Sequence, residues 1–126
     1  MKSLRTPEAR VRGLGSAHHG LSHWWAQRLT ALALIPLTLW FVAHLCVTVA
    51  NDYRAALADL HSPVNAILMI LLIGAGLYHG QLGLQVVIED YVHTEWTKFT
   101  LLILVKFAAV ALGAACLFAI AKVAFA

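Results

Sequence analysis

At 126 residues the chain makes at most one domain of ordinary size. Hydrophobic residues are 61% and charged residues 12%, about half the charged share of a soluble protein, so a water-solvated fold is excluded and lipid must cover much of the surface. The net charge of +3 is small, and most of its basic excess falls in the first 28 residues. No basic stripe recurs beyond them, which argues against a nucleic-acid partner and for a membrane-topology signal.

Residues 1–22 form a basic arm, nearly free of acids and without a periodic apolar face. It runs into the first apolar segment with no evident cleavage signal, so a transit peptide is not expected. The remainder, 23–126, reads as an all-α membrane protein with three transmembrane helices, at about 24–50, 63–89 and 97–125. Leu29 to Ala50 and about Pro63 to Ile88 contain no formal charge, and the run from Phe99 onward is broken only by Lys106 and Lys122. Each run reaches the roughly 20 residues that cross about 30 Å of hydrocarbon. Pro36 is expected to bend the first span rather than end it. Residues 51–62, NDYRAALADLHS, are expected to form a polar loop, with Ser62 and Pro63 as cap and first-turn proline of the second span.

Orientation follows from Lys and Arg. The arm and the second connection share one side and carry Lys2, Arg5, Arg10, Arg12, Arg28 and Lys98, against Arg54 and Lys122 opposite. The positive-inside rule then puts the N-terminus in the cytoplasm and the C-terminus across the membrane. Trp24, Trp25 and Trp96 fall at the inner interface, where belt residues belong.

His79 is the costly residue. It lies in the second span, about nine residues or roughly 14 Å from its inner end. Gly76 and Gly83 fall within about 60° of it on a helical wheel, and Gly80 is adjacent. Two readings are open: an axial ligand for a haem, which needs room beside the imidazole, or an interhelical hydrogen bond with the glycines serving helix packing. His44 lies roughly 10 Å away in depth, too far to face the same iron, and is expected to hydrogen-bond within the bundle. His18, His19, His61 and His93 read as solvated. Cys46 and Cys116 stand alone in apolar segments, so neither a disulfide nor a metal cluster is expected.

Asp90 lies about 20° off the face of His79 and roughly 16 Å nearer the inner rim, with Tyr91 beside it. A phenol donor and a carboxylate suit the carbonyl oxygens and proton needs of a quinone headgroup; equally, Glu89-Asp90-Tyr91 marks a water boundary. Arg28 admits two roles as well, pairing with a buried carboxylate or snorkelling to lipid headgroups.

LYHGQLGLQVVIEDYVH, residues 77–93, resembles the histidine-to-Asp-Tyr segment of the smaller haem-bearing anchor of succinate dehydrogenase, respiratory complex II. SHWWAQRLTALALIPL is similar to that family's lead-in to its first span, and VRGLGSAHHG looks most like alphaproteobacterial members. The resemblance covers nearly the whole chain from about Gly13. It implies that His79 is one axial ligand of a b-type haem whose other histidine comes from a second three-helix anchor subunit. It further implies that Tyr91 hydrogen-bonds ubiquinone with Asp90 organising the site, and that Arg28 and His23 lie near the haem propionates. A flavoprotein subunit and an iron–sulfur subunit would dock on the cytoplasmic face of a bacterial inner membrane, in the electron transport chain and tricarboxylic acid cycle, with no catalysis by this chain alone. A quinol:fumarate reductase anchor and a cofactor-free membrane adaptor are the alternatives. No motif assigns a role to Lys106.

Overall fold

The computed structural model describes residues 6–11, 20–49 and 53–125, and every regular element among them is helical. A five-residue turn, α1 (Pro7–Val11), lies in the basic arm, whose residues 1–5 and 12–19 are outside the described set. The three predicted spans are α2 (Gly20–Val49), α4 (Pro63–Tyr91) and α5 (Glu95–Ala124), each long and apolar enough to cross a membrane. α2 runs through Pro36 and starts at Gly20, four residues before the expected start of the first span, so His23 lies in its first turn. α4 continues to Tyr91, which places Asp90 and Tyr91 in its last turn.

Residues 51–62 are not the expected polar loop. Tyr53–Leu60 forms a short helix, α3. YRAALADL is rich in strong helix formers, and Leu57 and Leu60, one turn apart, are both half-buried. Its polar composition masked that pattern. Pro63 opens α4 as expected, but Ser62 stands at the cap position without a side-chain capping bond.

α2 and α5 each pack on α4 and make no direct packing contact with each other. The spans are therefore an open layer with α4 in the middle, tied across one end by α3, which touches all three. Only Ala66, Leu82, Ile88 and Ile120 are buried apolar residues among those described, and all but Ile120 belong to the central helix. A layer this thin encloses almost nothing by itself.

Hydroxyls within the spans are answered locally. Thr30, Thr38, Thr48 and Thr100 each donate to the carbonyl four residues back, at 2.6–2.8 Å. That arrangement satisfies a donor where water is absent. Small residues set the approach of the helices: a methyl added at Gly113 of α5 would lie 3.5 Å from Leu77 of α4, an ordinary contact.

Gly113→Ala is accordingly expected to be neutral or to stabilise by up to about 1 kcal/mol through helix propensity. Gly113→Leu is expected to pry α5 from α4 and lower the thermal midpoint of the detergent-solubilised protein. Equal midpoints for the two variants would contradict this packing.

Candidate functional site

His79 faces α2. Its Nδ1 lies 2.9 Å from Thr30 Oγ1, and its Nε2 lies 3.4 Å from the Gln27 side-chain nitrogen. The first is an ordinary hydrogen bond and the second is long and weak. His23, Gln27, Thr30 and Leu34 recur at four, three and four residues, so they line one face of α2 within about 60°. Opposite them stand Gly76, His79 and Gly83 of α4: a Cβ at Gly76 would meet Leu34 at 3.9 Å, and one at Gly83 would meet the Gln27 amide at 3.7 Å. These two glycines thus bring α2 close to the imidazole. Gly80 has open space beside it.

Two buried polar atoms in this seam, His23 Nε2 and Gln27 Oε1, have no hydrogen-bond partner among the described residues. Both lie toward the N-terminal end of α2 from Thr30, His23 by seven residues, or roughly 10 Å of helix. The seam therefore offers an imidazole with one nitrogen held firmly and the other held weakly, beside polar atoms still lacking partners among the described residues. That donor set suits a metal-ligating imidazole with hydrogen-bonding groups to one side of it.

Arg28 is on the far face of α2, about 160° from Thr30, with its guanidinium stacked 4.7 Å over the Trp24 ring. The fold does not bring it to His79 within this chain. Asp90 and Tyr91 share the C-terminal end of α4, both exposed, Tyr91 by 80%. Neither has a partner among the described residues. Their neighbour Glu89 does: its carboxylate accepts from Gln85 at 2.9 Å, and its carbonyl accepts from Lys98 Nζ at 3.2 Å. Lys98 thus pins the end of α4 to the start of α5 and fixes where Tyr91 projects.

A second polar cluster closes the end of the layer that α3 ties together. His44 pairs through Nε2 with Asp59 of α3 and stacks on Trp40, ring centroids 5.1 Å apart. Asn65 of α4 donates to the other Asp59 carboxylate oxygen at 2.8 Å. His44 is held within the bundle, as expected. Asp59 was not anticipated, because a residue placed in a loop has no predictable facing side chain, and Asn65, inside the predicted second span, was passed over with it. Gln27 and Thr30 were missed too, because nothing local to them tells which face of α2 turns toward α4. Lys106 lies on α4's other flank, exposed, in a groove shared with Gly74, Tyr78 and Gln81.

Comparison with known proteins adds the family. Residues 2–113 match the succinate dehydrogenase/fumarate reductase transmembrane subunit family. The chain belongs to that family. It is similar to the succinate dehydrogenase hydrophobic membrane anchor subunit of Rickettsia bellii, 35% identical over 82% of each chain. The subunit of the same name from Paracoccus denitrificans is 31% identical over 87% of this chain and 85% of its own. The succinate dehydrogenase membrane anchor subunit of Reclinomonas americana is 27% identical over 72% and 78% respectively. By this homology the chain is a multi-pass membrane anchor, a subunit of succinate dehydrogenase, and its alphaproteobacterial resemblance is confirmed.

The His44–Asp59–Asn65 cluster of this anchor yields a prediction. Asp59→Ala strands His44 and the Asn65 amide, and is expected to cost about 1 kcal/mol, since the pair is partly exposed. The purified complex should melt a few degrees lower, with the inner half unaffected. An unchanged midpoint would show that the clasp contributes nothing.

Proposed function

We propose that this anchor shares a b-type haem and the ubiquinone-reduction site of succinate dehydrogenase with a second three-helix anchor subunit, and holds the flavoprotein and iron–sulfur subunits on the inner membrane. The observation that carries the reading is His79, an imidazole inside a span with one ring nitrogen anchored by Thr30 and the other only weakly engaged. An imidazole within a span is costly even with one nitrogen hydrogen-bonded, and metal coordination at the other would account for keeping it.

His79 would supply one axial nitrogen to the haem iron, the other coming from the companion anchor. When bound, haem supplies a one-electron redox centre near the quinone site. The unpartnered His23 Nε2 supports a place for His23 toward the propionates. Arg28 would reach them only from a rotamer that leaves Trp24, or it would serve the lipid interface. An open layer with unburied faces on either side of α4 is what a second three-helix subunit would cover.

Tyr91 would donate its phenol proton in a hydrogen bond to a ubiquinone carbonyl oxygen. Asp90, one residue earlier, would orient that donor or a water beside it as the quinone takes up two electrons and two protons. Electrons reach this place from succinate through the soluble subunits, so the site belongs to the tricarboxylic acid cycle and electron transport together. The N-terminus and the Asp90–Tyr91 end would be cytoplasmic and the C-terminus periplasmic, which puts the quinone site on the side where the soluble subunits dock.

A pull-down through this subunit should bring a second anchor, a flavoprotein and an iron–sulfur protein, with a haem spectrum. His79→Ala should abolish that spectrum. Co-purified partners with an unchanged spectrum would place the haem ligands elsewhere, and a colourless native complex would make the chain a cofactor-free adaptor. Tyr91→Phe should lower ubiquinone reduction about tenfold, the equivalent of one hydrogen bond, with haem content and succinate oxidation by artificial acceptors intact. Unchanged quinone kinetics would contradict the role of Tyr91.

A further inference from the structure

We propose that Thr30 is a positioning residue for His79: its hydroxyl oxygen accepts the Nδ1 proton and leaves the Nε2 lone pair as the one α4 offers to iron. The inference rests on the haem reading above and deepens it.

Proton counting carries the argument. A threonine hydroxyl has one hydrogen. Thr30 Oγ1 lies 2.7 Å from the Ala26 carbonyl and 3.1 Å from that of Gln27, both acceptors with no proton to give. The shorter contact takes the hydroxyl hydrogen. Toward His79 Nδ1, at 2.9 Å, the oxygen then has only a lone pair to present, so the hydrogen in that bond belongs to Nδ1. A neutral imidazole carries one N–H, so Nε2 is bare.

Gln27 does not hold Nε2 firmly: its side-chain amide stands 3.4 Å away, a long and weak contact.

This arrangement has a chemical consequence. An acceptor behind a ligating imidazole makes its far nitrogen more basic, and such partners commonly account for 10–100-fold in metal affinity. Greater basicity favours ferric over ferrous iron and lowers the potential of the centre. Inside the span no water can replace Thr30 as acceptor.

The test uses the intact complex purified in detergent, read by redox titration of the haem band and by haem loss to a protein scavenger. Thr30→Val keeps the shape and removes the hydroxyl. It should weaken haem retention 10–100-fold. It should also raise the midpoint potential, a tenfold change in the ferric-to-ferrous affinity ratio corresponding to about 59 mV for one electron. Thr30→Ser, which keeps the acceptor, should stay at the native potential. If Thr30→Val matches the native protein in both readouts while His79→Ala loses its haem, the positioning role is overturned and the ligand assignment stands. If His79→Ala keeps its haem, the ligand assignment itself fails. Should the valine variant not assemble, Thr30→Ala against Thr30→Ser decides: a shifted alanine variant beside a native-like serine variant supports the role, and a native-like alanine variant overturns it.

Discussion

A polar side chain inside a bilayer has no water to fall back on, so the protein must supply a partner for each one or leave it exposed at a cost. That constraint organises the fold. Span threonines turn their hydroxyls back onto their own helices. The one histidine deep in α4 is answered from α2, and the one near the outer end of α2 is answered from α3. Helix packing follows the same logic, because the glycines that let α2 approach α4 flank the histidine that α2 must reach.

The packing of the spans explains why the chain has so small a core. α4 lies between α2 and α5, which do not meet, so apolar side chains on both sides of the layer face outward. In water that surface would drive aggregation; in a membrane, lipid or another set of helices can cover it. A subunit of this kind is completed by its neighbours. The anchoring role shared with the Rickettsia and Paracoccus proteins fits a layer that is incomplete alone.

Much of this was legible in the residues. Uncharged runs of the right length fixed the number of spans, because burying a charge in hydrocarbon is costly enough to dominate local preference. The segment from His79 to Tyr91 carried the family, since its spacing joins an intramembrane imidazole to a phenol at the rim. What stayed hidden depends on which helix faces meet. Thr30 and Gln27 look like unremarkable span residues until α2 is turned toward α4, and nothing local to them sets that rotation. The pairing of His44 with Asp59 was hidden for another reason: residues 51–62 were read as a loop on polarity, whereas their alanine and leucine content makes Tyr53–Leu60 helical.

The two ends of the layer consequently serve different purposes. At the α3 end polar groups pair among themselves and close the connection between α2 and α4. Toward the other end the pairing is unfinished among the described residues, with His23 Nε2 and Gln27 Oε1 buried and unpartnered, and Asp90 and Tyr91 projecting from the last turn of α4. Unfinished polar groups on α2 and α4 at one end of the layer are where, on the proposed reading, a cofactor and a quinone would complete the protein. A density map of the intact complex tests that most directly: the account predicts a macrocycle whose iron is bonded to His79 Nε2, with Thr30 at Nδ1. Iron held by two histidines of other chains, or His79 packed against protein alone, would contradict it.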